Sequence, residues 1–180
     1  MRRYLIAIAV AGALVASNAQ AQSADRTIND TTAHTRSPDL SLMAWLPWYY
    51  GFGIGLDIRY EIPILPDGFI PNVNDEFTIE PCLGLAFANY GYANLGYNYV
   101  DIAPSVFGVW GFHVLRNLRL YGALGLGYNV VSWTGNGPGN TWYPVYWDAA
   151  VGMNYKFASN MSFRGELGSM GLKAGLSIYF

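Results

Sequence analysis

The chain has 180 residues and a formal net charge of -2, with 12% charged and 16% aromatic residues and 21 glycines. That length fits one domain, the near-neutral charge offers nothing to a polyanion such as nucleic acid, and the charged fraction lies far below the roughly 25% of an average soluble domain. Something other than water faces much of the surface, yet no stretch after the N-terminus approaches the roughly 20 apolar residues of a membrane helix.

The only long apolar run is Leu5 to Val15, preceded by Arg2 and Arg3 and followed by Ala19-Gln20-Ala21. This is the layout of a secretory signal peptide over residues 1–21, cleaved after Ala21. Two basic residues ahead of an apolar core suit general secretion and give no special case for twin-arginine export. Cys82 is the single cysteine; it lies far from the cleavage site, so neither lipidation there nor an intramolecular disulfide is expected. Residues 22–39 are polar, lack apolar periodicity and are expected to form a flexible periplasmic leader. Leu40 to Tyr50 is apolar and aromatic but contains Pro47, and reads as a short strand, an interfacial helix or both.

Beyond Gly51 a period of two takes over. Phe52, Ile54, Leu56, Ile58, Tyr60 and Ile62 alternate with Gly53, Gly55, Asp57, Arg59 and Glu61. Next, Phe77, Ile79, Pro81, Leu83, Leu85 and Phe87 oppose Thr78, Glu80, Cys82, Gly84, Ala86 and Ala88. The third strand sets Val100, Ile102, Val106, Trp110 and Phe112 against Asp101, Ala103, Ser105 and His113, with Phe107 and Val109 blurring its polar face. The fourth alternates Leu118, Leu120, Leu124, Leu126, Tyr128 and Val130 with Arg119, Tyr121, Ala123, Gly125, Gly127 and Asn129. The fifth runs from Val145 to Phe157, with Asp148, Asn154 and Lys156 on the polar side. The sixth sets Met161, Phe163 and Leu167 against Ser162, Arg164 and Glu166, and the seventh sets Leu172, Ala174, Leu176, Ile178 and Phe180 against Lys173, Ser177 and Tyr179.

With these registers set by apolar residues alone, the charges within the strands fall on the other face: Asp57, Arg59, Glu61, Glu80, Asp101, Arg119, Asp148, Lys156, Arg164, Glu166 and Lys173. A charge facing mid-bilayer costs about 2 to 4 kcal/mol, so this placement selects lipid as the outer solvent and a polar lumen as the inner one. A soluble lipocalin-like barrel would need the opposite parity and more charge to solvate its outside. Unpaired strand edges are not tolerated in hydrocarbon, and bacterial single-chain barrels have even strand numbers. The seven readable strands therefore imply an eighth, for which Leu40 to Tyr50 is the best donor and a split in the Pro63 to Asp75 connection the alternative. The expected fold is all-β, a closed antiparallel up-and-down transmembrane barrel of eight strands over residues 40–180.

Tyr179 and Phe180 close the last alternating segment, and this ending resembles the terminal insertion signal of outer-membrane barrels. The resemblance, over Gly51 to Phe180, is to the small eight-stranded bacterial outer-membrane barrel class, without assignment to a subfamily. It implies the cell outer membrane of a Gram-negative envelope, a periplasmic C-terminus, contact with outer-membrane lipids and lipopolysaccharide, and handling by the barrel-assembly machinery. A monomer is expected. Working back from the C-terminus puts Gly168 to Gly171 and the Trp133 to Trp142 connection outside the cell, and Leu115 to Asn117 and Ser159-Asn160 in the periplasm. The long Pro63 to Asp75 connection also falls in the periplasm, against the rule that periplasmic turns are short.

Eight strands leave an interior that side chains fill, so the inner charges read as a packed structural network. The acidic Asp57, Glu61, Glu80, Asp101, Asp148 and Glu166 have Arg59, Arg119, Lys156, Arg164 and Lys173 as candidate partners. Lipid A deacylases of similar size carry a His-x-Ser pair; here Val114 and Leu115 follow His113, and His34 is the only other histidine. No catalytic, cofactor or metal residue is assigned, Cys82 reads as a buried filler, and Trp45, Trp48, Trp133, Trp142 and Trp147 read as an interfacial aromatic belt. The leading function is a non-enzymatic structural or surface-interaction barrel. A narrow porin-like pore for small solutes stands second, and a lipid A-modifying enzyme third.

Overall fold

A computed structural model describes residues 27–30, 36–48, 52–90, 97–134 and 145–180. The expected signal peptide, most of the leader and residues 135–144, which include all of the Trp133 to Trp142 connection after Thr134 and Trp142 itself, lie outside them. Nine extended elements follow the alternation of the sequence: β1 (Asp39–Pro47), β2 (Phe52–Leu65), β3 (Asp75–Tyr90), β4 (Tyr97–Leu115), β5 (Leu118–Tyr128), β6 (Val130–Thr134), β7 (Val145–Ala158), β8 (Met161–Gly168) and β9 (Gly171–Tyr179). Each pairs antiparallel with its neighbour, and β1 pairs with both β2 and β9, which closes the sheet. Leu40 to Tyr50 thus holds the missing strand, and the Pro63 to Asp75 connection is not split.

β5 and β6 are one strand with a break at Asn129. Both pair with β4 in a single register, Ser105 opposite Gly127 and Ile102 opposite Val130. Pro104 explains the break, because it sits opposite the interruption and has no N–H to donate. Pro81 does the same one strand earlier, where the β2–β3 ladder skips from Arg59–Cys82 to Ile62–Ile79. Nine elements therefore make eight barrel strands.

The register sets the width of the barrel. From Pro63 the ladder passes through Thr78, Val109, Ala123, Ala150, Gly168, Gly171 and Pro47. Continued two residues past the Trp45–Gly55 pair, it returns to β2 at the level of Gly53, a stagger of ten residues (63 to 53). With a rise of about 3.3 Å per residue and strands about 4.8 Å apart, eight strands at this stagger tilt by about 40° and enclose a radius of about 8 Å. Such a lumen holds side chains and little else.

Burial follows the predicted parity. Along β1 every inward residue from Asp39 to Pro47 is buried and every outward one is exposed, and the outward apolar band includes Ile54, Phe87, Leu124, Leu126 and Val151. Phe107 and Val109, which blur the pattern in sequence, are buried in the lumen. Phe107 lies across the bare backbone of Gly125, and Tyr121 across Gly152; a Cβ on either glycine would come within 2.6 Å of the ring. The inward glycines are the hollows these rings occupy.

One end of the barrel carries the start of β1, the end of β9, the turns at 116–117 and 159–160, and the 66–74 connection. That long connection is a folded turn organised by Asp75. The Asp75 carboxylate accepts from the N–H of Phe69 (2.9 Å) and of Ile70 and from Trp110 Nε1 (2.7 Å). Gly68 has φ 62°, and a Cβ there would strike that carboxylate. Asp75 is thus a carboxylate of lipid-facing parity, screened by the turn it caps. Asn74 in turn accepts the N–H of His113 on β4 at 3.0 Å, and it donates its own N–H to Ile28 O and its side-chain amide to Thr27 O, tying residues 27–30 to this end.

The outward face makes one consequence measurable. Leu124 is 64% exposed in the apolar band, and Leu124→Arg is expected to destabilise the barrel by about 2 to 4 kcal/mol, read by reversible denaturant unfolding in phospholipid vesicles. Arginine at a loop-end position such as Tyr128 should cost less than half as much.

Candidate functional site in the lumen

The inward charges meet in one connected cluster. At its centre Arg59, on β2, donates from Nη1 and Nη2 to Glu166 of β8 at 2.9 and 2.6 Å, and from Nε to Asp57 at 2.9 Å. Across the lumen Arg164, on β8, makes the matching two-pronged contact with Glu80 of β3, at 3.0 and 2.9 Å. Two further bonds close the circuit. Arg59 Nη1 reaches Glu80 at 3.3 Å, while Arg164 Nε donates to the Tyr121 hydroxyl at 2.9 Å, which donates to Glu166 at 3.1 Å. Two guanidinium groups and two carboxylates are thereby neutralised with planar, paired geometry. Arg59 also stacks over Phe107 at 4.4 Å and Arg164 over Tyr121 at 4.9 Å.

Lys173 extends this ring toward the loop end, with Nζ 2.9 Å from Asp57 and 3.8 Å from both Asp148 and Glu166. Asp148 also accepts from Ser169 Oγ at 2.7 Å and from the Met170 N–H, which binds the β8–β9 turn to the network. Cys82, buried as expected, directs its thiol to Asp57 at 3.4 Å. Toward the terminal end a second group forms. Arg119 pairs with Glu61 at 3.0 Å and with Glu76 at 2.5 Å, and His113 Nε2 lies 3.2 Å from Glu76. Arg36 enters this group from the leader, pairing with Glu61 at 2.6 Å and with Glu76.

Of the eleven charges anticipated in the sequence, nine belong to this cluster: Asp57, Arg59, Glu61, Glu80, Arg119, Asp148, Arg164, Glu166 and Lys173. Lys156 stands apart with its ammonium 5.3 Å from the Tyr179 ring, and Asp101 lies nearer the loop end, away from the ring. Three members lie outside the predicted inner face: Glu76 precedes the Phe77 start of the second predicted strand, although 76, 78 and 80 share one parity, and Arg36 with its partner Asp39, 3.8 Å away, falls in the predicted leader.

Two tryptophans depart from the expected interfacial belt. Trp45 faces inward, is buried, donates to Met170 O at 3.3 Å and lies over the Lys173 ammonium. Trp133 also has inward parity and packs on Tyr99 with ring centroids 5.2 Å apart. The reason is register: a tryptophan at a strand end reaches the membrane interface only when its parity is outward, as with Trp147. Trp48 is exposed and donates to Ser169 O. At the last strand, Tyr179 points in toward Ser162 and Phe180 is exposed. Among the described residues no group of three or more His, Cys, Asp or Glu is arranged to hold a metal ion.

A closed sheet with a lipid-facing apolar band and a charged, packed lumen defines a small eight-stranded antiparallel transmembrane β-barrel. In a comparison with solved structures, the chain is similar to Ail, the attachment invasion locus protein of Yersinia pestis, at 15% identity and a TM-score of 0.48, over 79% of this chain and 95% of that one. It is similar also to Ail in complex with the heparin analogue sucrose octasulfate, at 15% identity and a TM-score of 0.42, over 79% and 96% of the two chains. No protein-family model matches the chain, and no curated protein matches it in sequence.

Removing one member of the ring leaves its partners buried and uncompensated. Arg164→Met strips Glu80 of its paired donors and is expected to cost about 3 to 5 kcal/mol in vesicle unfolding experiments. In a double-mutant cycle with Glu80→Gln the two losses should be strongly non-additive, whereas Arg164→Met with Lys156→Met should add.

Proposed function

We propose that the protein is a non-enzymatic structural and surface-contact barrel of the bacterial outer membrane, and that it does not act as a pore. The observation that carries this reading is the Arg59–Glu166–Tyr121–Arg164–Glu80 circuit, which spans the lumen at its middle with side chains that are almost wholly buried. Every charge in the ring is held by an opposite charge at contact distance, so ions crossing it would have to break buried pairs. Solutes meet a wall of packed rings and guanidinium groups.

Outer-membrane residence is supported by the apolar exterior and by strand closure without free edges, and a sheet closed in this way would be inserted by the barrel-assembly machinery. Lipids and lipopolysaccharide are the natural partners of the outer face, and the end opposite the chain termini is the one presented to the cell exterior. Export with cleavage after Ala21 and a monomeric state complete the proposal.

Fractionation tests location and conductance tests the closed lumen. The protein should be recovered from the detergent-extracted outer-membrane fraction and run faster on gels unboiled than boiled; a soluble periplasmic protein without that shift would overturn the assignment. In planar bilayers it should give no steady channels at moderate voltage, and reproducible unitary conductance would favour the pore.

A further inference from the structure

Toward the loop end the lumen changes character. On the inner face of the β4–β6 ladder Tyr99 stands opposite Trp133 and Asp101 opposite Val131. One step past the Ile102–Val130 pair, Ala103 is level with Asn129. Asp101 and Asn129 are therefore diagonal neighbours on one face of adjacent strands, about 7 Å apart. Asp101 is 4% exposed and Asn129 is wholly buried, yet among the described residues Asp101 Oδ1, both polar side-chain atoms of Asn129 and the nearby Ser105 Oγ have no hydrogen-bond partner. Among the described residues no cation approaches Asp101: Lys173 is engaged by Asp57, Asp148 and Glu166, and the arginines lie in the ring and the terminal-end group.

The surroundings of this pair are apolar. On one side lies the cluster of Ala88, Tyr99 and Val131 with Trp133 against it, and on the other Trp45, Ala86, Ala103 and Met170 with Tyr146. A carboxylate and a carboxamide between two apolar clusters need partners, and the rest of the lumen supplies them wherever a charge is buried. The break at Asn129, which Pro104 imposes on the ladder, places the unpartnered amide where the backbone pairing is also interrupted.

We propose that Asp101 and Asn129 form a binding site for a small soluble molecule bearing a primary ammonium next to a hydroxyl. The ammonium bridges the Asp101 carboxylate and Asn129 Oδ1, and the ligand oxygen accepts from Asn129 Nδ2. The Tyr99 and Trp133 rings supply the aromatic faces that favour an organic cation. A hard divalent metal would need six or more oxygen ligands, which this pair and its apolar neighbours do not provide. Because both side chains face the lumen, the ligand comes from the aqueous phase and not from a lipid headgroup.

The site goes beyond the structural reading of the barrel and is tested separately from it, since conductance and fractionation do not depend on Asp101. Ethanolamine hydrochloride is titrated calorimetrically into the folded protein in an uncharged detergent, against sodium chloride at equal ionic strength. Saturable binding of one equivalent is expected, with at least a tenfold loss of affinity in Asp101→Asn. Asn129→Leu keeps the charge and replaces the carboxamide by an apolar side chain of similar size; it is the second variant should the first not fold, and it should also weaken binding severalfold. The gel-mobility shift verifies that each variant is folded. No saturable heat with the native protein, or unchanged affinity in either folded variant, overturns the site.

Discussion

A polypeptide in hydrocarbon cannot leave a backbone N–H or C=O unpaired, and every other feature of this molecule follows from that constraint. It is met by the antiparallel contact of β1 with β9, which joins Asp39 to Tyr179 and Pro47 to Gly171 and removes the last free edge. Once the sheet is closed at eight strands with a ten-residue stagger, the radius is set, and with it the volume that side chains must fill. Glycines at inward positions such as Gly125 and Gly152 then become the places where Phe107 and Tyr121 can lie flat.

Within that volume, the charges of the central ring are held in pairs. The two central arginines each hold a glutamate from a different strand in a two-pronged grip, so the network ties β2 to β8 and β8 to β3 across the lumen. Replacing such buried pairs by well-packed apolar residues is often neutral for stability. Their worth here is better sought in specificity: an arginine that must find two particular carboxylates pins the register, and a strand slipped by one residue would send it into lipid. The same network also fills the lumen, so the pinned register and the lack of free space inside the sheet have one physical origin.

The ends of the barrel are built differently from its middle. At the terminal end, Asp75 gathers two backbone amides and an indole to fold a long connection into a compact cap, while Arg36 carries the leader into the Glu61 and Glu76 group. The rule that turns at this end are short is broken because this turn is packed by its own carboxylate. Among the described residues of the loop end the cations stop at Lys173, and Asp101 lies among aromatic and small residues.

The period of two, read with the charges, determined strand parity and the choice of lipid as outer solvent, because a charge such as Arg59 or Glu166 has only one tolerable face in a membrane. It also indicated that Leu40 to Tyr50 was the best source of the eighth strand, but it could not orient that strand. The orientation of Trp45 depends on its pairing with Lys173 across β9, a contact 128 positions away in sequence (45 to 173). Glu76 was legible by extending the parity of β3 one step further, whereas the entry of Arg36 into the lumen carries no periodic signal and was visible only in three dimensions. Alternation is a local property and survives in the sequence; which guanidinium meets which carboxylate is decided by the stagger of a closed sheet, and that is fixed only when the first and last strands meet.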